Sequence, residues 1–269
     1  MIGWLIYSAV DVEKNKYYIQ MYKDKFKEHF IEIKLVIVEE LENMEQYVKC
    51  NKVDFAINRS RNHIMGELLE QKGVRVFNSS SVTRIANNKG ITYEFLKDVV
   101  PFLAVKYGNE IIESKIENKG FEYPYVIKSC SGHGGSQVFL VNNSKEDEQA
   151  VKAMNGQEYV VQQCCSDLGR DVRVYIIGNK IIKAVLRTST ESFKSNYSLG
   201  GKVQEYTLNN EEKAMVERIV DKLPLDYAGI DFTFNNGKAV FNEIEDAVGA
   251  RMLYQVSDID IVEMYIKYI

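Results

Sequence analysis

The sequence predicts an α+β fold that opens with a small parallel α/β unit. Two observations carry that reading. Over the first ~80 residues, short apolar runs alternate with amphipathic segments, the pattern of a parallel sheet with crossover helices. Further on, strand-like runs are joined by Gly- and Asn-containing turns, the pattern of antiparallel pairing. The runs Gly3–Ala9, Lys34–Val38, Asp54–Ile57 and Val74–Phe77 are rich in Val, Ile, Phe and Tyr, as buried strands are. Between the first two, Tyr18, Met21, Tyr22 and Phe26 fall at helical spacing, and Leu41–Cys50 and His63–Gln71 also read as helices. Ser79-Ser80-Ser81 breaks the pattern, and the expected first domain is residues 1–84.

The remainder is expected to hold a helix over Lys89–Lys97, a strand over Phe102–Lys106 and a helix around Glu110–Glu117. Tyr125–Ser129, Gln137–Leu140, Tyr159–Gln163, Val172–Ile177 and Lys180–Thr188 read as strands, the last two joined through Gly178-Asn179. Glu211–Leu223 reads as a helix, and Tyr227–Phe234 with Ala239–Ile244 as a hairpin. Expected boundaries are 85–160 for a central subdomain and 161–269 for a C-terminal one.

Composition narrows the function classes. A length of 269 residues is enough for sizeable cores, and 45% hydrophobic residues with 3 Pro argue against disorder. A net charge of −4 and a pI near 5.6 lack the basic signature of a nucleic-acid binder. Cys50, Cys130, Cys164 and Cys165 are too few for a disulfide framework, and with three His they show no zinc spacing. The start lacks a basic signal-peptide region, and no window approaches a membrane span, so the expected location is the cytoplasm.

The hairpin gathers acids. Asn235-Asn236-Gly237 suits a three-residue loop, which would pair Asp231 with Phe241 and Gly229 with Glu243. Asp231, Thr233, Phe241, Glu243 and Glu245 would then share one face. A two-residue turn would slip that register. Three carboxylates on one face repel unless a cation such as Mg²⁺ lies between them; a solvated acidic face is the plainer alternative. Upstream, Ser131-Gly132-His133-Gly134-Gly135-Ser136 links two strands and offers exposed backbone N–H groups that could wrap phosphates. It is neither a P-loop nor a dinucleotide fingerprint, and an ordinary Gly-rich hairpin loop would look similar. Lys128 ends the preceding strand, within reach of the same phosphates, and His133 reads as incidental.

Taken in order, these pieces resemble the ATP-grasp ligases, and within them the RimK-like branch, which includes ribosomal-protein glutamate ligase and the lysine-biosynthesis amino-group-carrier ligases. The resemblance runs from about Asp54 to the C-terminus, through Asn88-Lys89, YPYVIKSCSGHGGSQVFLV, YVVQQ, GRDVRVYIIGNKIIKAVLRTS, FKSNYSLGG, AGIDF and FNEIE. It implies an ATP-grasp fold: an N-terminal α/β parallel-sheet domain and two α+β subdomains enclosing the nucleotide. Lys89 and Lys128 match the lysines that contact ATP phosphates, with Ser131, Gly134 and Gly135 in the lid over them. Gln163, Cys164 and Cys165 match the hinge that reads adenine, and Asp171 matches a nucleotide contact. Lys194, Ser195 and Asn196 match a phosphate-contacting stretch, with Lys giving a point charge where Arg is commoner. Asp231, Glu243 and Glu245 match the metal ligands, where the third is usually Asn. The Pro-Gly that often follows is replaced here by Asp246-Ala247-Val248-Gly249-Ala250-Arg251.

The implied activity is ATP-dependent joining of a carboxylate to an amine through an acylphosphate, with ATP and Mg²⁺ (two ions, or Mn²⁺) as cofactors. Lys194 and Arg187 would act on the transferring phosphoryl group, and Arg173, Arg187 and Arg251 could hold a substrate carboxylate. The partners are a small-molecule or peptide carboxylate and an amine, with no nucleic acid and no membrane; relatives commonly form homo-oligomers. An ATP-binding regulatory module without ligase activity and an ATP-grasp kinase are the competing readings. Asn58-Arg59-Ser60-Arg61, just after a strand, reads as a surface turn or as a substrate-binding loop.

Overall fold

The computed structural model describes residues 1–108, 120–135, 137–194 and 201–269. In it β1 (Ile2–Tyr7) is buried on both faces, which explains its unbroken apolar sequence. It pairs in parallel with β2 (Glu32–Ile37) and β3 (Phe55–Asn58), and β3 pairs in parallel with β4 (Arg75–Phe77), giving the order β2-β1-β3-β4. Helices α1 (Ala9–Lys14), α2 (Lys16–Glu28), α3 (Met44–Cys50) and α4 (His63–Gln71) make the crossovers. The expected Leu41–Cys50 helix starts only at Met44, because Asn43 caps it by accepting from Gln46 N–H.

Asn78 seals the step out of this sheet. Its carboxamide accepts from the backbone N–H groups of Asp226 and Tyr227 and donates to Tyr227 O and Asp246 O. Two helices follow, α5 (Ser80–Ala86) and α6 (Lys89–Leu96), each capped by the side chain before it, Ser79 and Asn88. A central antiparallel sheet has the order β5-β8-β6-β7, from β5 (Val105–Tyr107), β6 (Tyr125–Ser129), β7 (Val138–Val141) and β8 (Tyr159–Gln163). Helix α7 (Ser144–Met154) packs on it through Ala150 and Met154. The expected strand Phe102–Lys106 begins later, since Phe102 instead bridges to Phe241. The expected helix around Glu110–Glu117 lies outside the described residues.

The third sheet is antiparallel and ordered β11-β10-β9-β12-β13. It comprises β9 (Arg170–Ile177), β10 (Lys180–Thr188), β11 (Lys202–Tyr206), β12 (Tyr227–Asn235) and β13 (Lys238–Glu245). Its core face packs against α5, α6 and α8 (Asn210–Lys222) through Val172, Val174, Ile230, Phe232 and Phe241. Helices α9 (Arg251–Val256) and α10 (Ile261–Tyr268) close the chain. Ile261, Val262, Tyr265 and Ile266 of α10 share one core with Leu5 of β1 and Tyr22 and Phe26 of α2, so the first and last segments of the chain are packed together. No helix among the described residues is long and apolar enough to cross a membrane.

The β12–β13 hairpin departs from the expected register. Asn236 and Gly237 both take positive φ (51° and 73°), so the connection is a two-residue turn that pairs Asn235 with Lys238. Phe241 therefore pairs with Phe232 on the core face rather than joining the acids. A bulge at Asn242 then shifts the pairing by one residue, setting Asp231 opposite Glu243 and Gly229 opposite Glu245. The acids end on one face through turn and bulge together.

Candidate active site

A cleft of about 840 Å³ opens between the central and C-terminal sheets. Leu103, Val126, Val138, Leu168 and Phe193 make its apolar side. Three lysines line the same cleft. Lys128, on β6, donates to Asn242 Oδ1 at 2.7 Å; Lys89, at the start of α6, donates to Gly132 O at 2.6 Å; Lys194 donates to Gly135 O at 2.6 Å. All three of these acceptors are neutral. Among the described residues, the carboxylate that pairs with one of the three is Glu243, 3.5 Å from Lys89. Burial drives the Lys128 ammonium down to about 8, with Glu243 opposing and Lys89 adding to the fall. Burial also lowers Lys194. His133, in the same loop, is held at about 4 by burial, with Arg61 and Lys89 adding to the effect, and so is neutral at pH 7.

The acid face is interlocked with arginines. Asp231 is fully buried; its two oxygens accept Arg173 Nε at 2.8 Å, Arg173 Nη2 at 2.7 Å and Arg187 Nη2 at 2.7 Å. Arg187 also forks onto Asp171, and Arg173 Nη1 reaches Glu245 at 2.6 Å. The pairing follows from strand register: Arg173 lies opposite Asp231, and Arg187 opposite Asp171. Burial alone would raise the Asp231 carboxyl, but Arg173 and then Arg187 outweigh it and hold it at about 2.

A second cleft of about 1830 Å³ adjoins the first; Lys89, Gly134, Arg187 and Glu243 line both. Its far wall comes from the N-terminal region, including Tyr7, Tyr18 and Arg59, and its near wall from Glu245, Ala247 and Arg251. The segment Asn58-Arg59-Ser60 is buried, so it is not a surface turn. Arg61, at φ 61°, forms an ion pair with Asp11 on this wall.

Of the residues singled out from sequence, Lys89, Lys128, Gly134, Gly135, Gln163, Cys165, Asp171, Arg187, Lys194 and Glu243 all line the first cleft. Glu245 lines the second. Asp231 lies beneath them, in contact with both arginines. Cys164 neighbours Cys165 and hydrogen-bonds to it, which lowers the Cys165 thiol and raises that of Cys164. Ser131 is in the loop but does not line the cleft, and Ser195 and Asn196 lie outside the described residues. Asn242, Gln162 and Thr233 also line the cleft and were not singled out. Asn242 is there because the bulge turns it inward: its O accepts from Tyr93 and its Oδ1 from Lys128. No group of three His, Cys, Asp or Glu among the described residues is arranged to hold a metal ion as it stands.

A parallel-sheet segment followed by two antiparallel sheets with a lysine-lined cleft between them is the architecture of the ATP-grasp proteins. The RimK domain protein of Sphaerobacter thermophilus superposes with a TM-score of 0.78 at 20% identity, over 100% of this chain and 99% of that one. The D-alanine–D-alanine ligase of Bacillus anthracis, solved with ATP, superposes at a TM-score of 0.74 and 16% identity, over 100% and 96%. The profile of the RimK-like ATP-grasp domain matches residues 93–269, and this chain belongs to that family. An uncharacterized protein of Mycoplasma genitalium is 32% identical over 96% of this chain and 88% of its own length.

Proposed function

We propose that the protein is an ATP- and Mg²⁺-dependent carboxylate–amine ligase. The observation that carries the reading is the junction of the two clefts. One offers an apolar slot with three ammonium groups bonded to neutral oxygens, which suits a purine nucleotide triphosphate. The other opens beside it at Lys89 and Glu243, so that a second molecule held there would meet the phosphate end of the first. Lys89, Lys128 and Lys194 would neutralise the phosphates, and the loop bearing Gly134 and Gly135 would cover them. The B. anthracis ligase, solved with ATP, supports this use of the fold.

The acid face fits a hard cation in its chemistry, since Asp231, Glu243 and Glu245 present carboxylate oxygens on one face of the hairpin. A carboxylate has about four lone-pair positions, so the three N–H groups on Asp231 leave room for one more contact. Mg²⁺ at these residues would neutralise charge on the transferring phosphoryl group. The substrate carboxylate attacks the γ-phosphate, giving an acylphosphate and ADP. An amine then displaces phosphate to form the amide. Arg187 lines both clefts and would hold the phosphoryl oxygens in transit. Closure of the glycine loop would keep water from the acylphosphate.

The locking of Asp231 by two arginines favours one second reading, a nucleotide-binding module that does not turn over. Phosphate release from Mg·ATP across a panel of carboxylate–amine pairs separates the two, with Glu243→Gln as control. The ligase reading expects release only with a matched pair and none in the variant. Binding of ATP with no release for any pair would favour the module.

A further inference from the structure

Two adjacent cysteines, Cys164 and Cys165, follow β8, and the ligase mechanism uses neither sulfur. Both are free and half-buried, and Cys165 lines the first cleft. Cys130 is buried by comparison, and Cys50 is exposed at the end of α3. Thr233 Oγ1 donates to Cys165 Sγ at 3.4 Å, and the Cys164 thiol donates to the same sulfur. Two donors thus converge on one sulfur. A neutral thiol is a weak acceptor and gains little from them, whereas a thiolate gains a great deal. The Cys164 contact, then Thr233 and the Lys128 ammonium, lower the Cys165 thiol against the opposing effect of burial. The same contact raises the Cys164 thiol and keeps its proton in place.

One sulfur is therefore prepared as a nucleophile and its neighbour as a thiol that can follow it. Toward a hydroperoxide the pair has a balanced two-step reaction. The Cys165 thiolate attacks one peroxide oxygen and the O–O bond breaks. The other oxygen takes a proton and leaves, as water from hydrogen peroxide or as an alcohol from an organic hydroperoxide. Cys165 is then a sulfenic acid with a thiol beside it. Cys164 Sγ attacks Cys165 Sγ, the S–O bond breaks, and the departing oxygen takes the Cys164 proton and leaves as water. Two thiols have lost two electrons and two protons, and the hydroperoxide has been reduced.

The chain on either side of the pair is pinned. Gln163 N–H donates to Ala104 O at 2.9 Å, Ser166 N–H donates to Asn235 Oδ1 at 3.1 Å, and Ser166 Oγ accepts from Asn236 N–H at 2.6 Å. Adjacent Cα atoms lie ~3.8 Å apart, closer than the ~4.4–6.8 Å of an ordinary disulfide, so a bond between these residues would be strained and easily reduced again. With both flanks held, closing that ring must re-set the peptide between the cysteines and draw Cys165 Sγ from Thr233, inside the cleft wall. We infer that Cys165 is a hydroperoxide-reactive site in the wall of the nucleotide cleft, that Cys164 resolves it to a disulfide, and that this disulfide turns nucleotide binding off. The inference rests on the nucleotide reading of that cleft, which its test checks separately.

The test starts from the full-length reduced protein. Hydrogen peroxide is added in small excess, remaining thiols are alkylated, and the cysteines are mapped by mass spectrometry with Cys50 as internal reference. The peptide holding Cys164 and Cys165 should become lighter by a pair of hydrogens before Cys50 is oxidised. Affinity for a non-hydrolysable ATP analogue should fall by about tenfold or more, and dithiothreitol should restore it. Cys164→Ser should stop at a Cys165 sulfenic acid, captured with dimedone. Cys165→Ala should give neither product, and its own affinity for the analogue, whatever its level, should not change on treatment. Cys165 oxidised no sooner than Cys50, a sulfinic acid there beside an intact Cys164 thiol, a disulfide to a second chain, or full affinity after the internal disulfide has formed would each overturn the inference while leaving the nucleotide reading intact. A reduced protein that does not bind the analogue would refute the nucleotide reading and the switch with it.

Discussion

Replacing Asp231 by Asn removes one negative charge from beneath two guanidiniums without changing the side chain's shape. The carboxyl is held at about 2 in the folded protein, against ~3.9 in an unfolded chain, a gap that corresponds to roughly 3 kcal/mol. Removing one member of a buried ion pair typically costs 3–5 kcal/mol, by roughly the same reasoning. A loss of about 3 kcal/mol should lower the melting temperature by roughly 6–10 °C in a chain of this size. The sign with pH follows from the depressed folded value. The stabilisation is complete above ~4 and is lost as pH falls toward ~2, so the gap between wild type and Asp231→Asn should close over that range. Thermal melts of both ligand-free proteins across the acidic range measure this. A variant melting within ~2 °C of wild type at neutral pH, or a gap that persists on acidification, would refute the arginine lock.

Three further perturbations address other parts of the account. Lys128→Met should weaken binding of an ATP analogue by about tenfold. Because the Lys128 ammonium titrates near 8, wild-type affinity should decline as pH rises through that value and the variant's should not; fluorescence titration across that range shows either result. Asn78→Ala strips four hydrogen bonds from buried backbone groups between the first sheet and β12. It should cost about 3 kcal/mol in urea unfolding, and a loss below ~1 would mean that other contacts hold the junction. Gly169 has φ 68°, and an added Cβ would collide with Ser189 O and lie 2.9 Å from Ser192 O. Gly169→Ala should therefore lower stability by about 1–3 kcal/mol and weaken nucleotide binding, both read in one ligand-shift melt.

Much of the fold was legible because its strands are short, apolar and bounded by polar breaks; Tyr125–Ser129, Tyr159–Gln163 and Lys180–Thr188 coincide with β6, β8 and β10. The cleft lysines were legible through motif order rather than chemistry, since no local feature separates Lys128 from solvated lysines. What the sequence hid is non-local. Arg173 and Arg187 lie 58 and 44 residues from Asp231, and only the register of β9, β10 and β12 brings them to it. The hairpin differs from expectation because Asn236-Gly237 closes a two-residue turn, while the compensating bulge leaves no local sign and places Asn242 against the distant Tyr93 and Lys128. Arg59 reads more readily as part of a surface turn because its burial comes from α2 and from carbonyls 188 and 189 residues away.

The central claim is that a carboxylate is activated by phosphorylation in the joined clefts. Oxygen-18 placed in the carboxylate of a substrate pair that stimulates ADP formation tests it directly. One labelled oxygen is expected in the released phosphate for each amide formed, detected by mass spectrometry. Amide and ADP formed with unlabelled phosphate would contradict it, because the carboxylate oxygen would then never have been bonded to phosphorus.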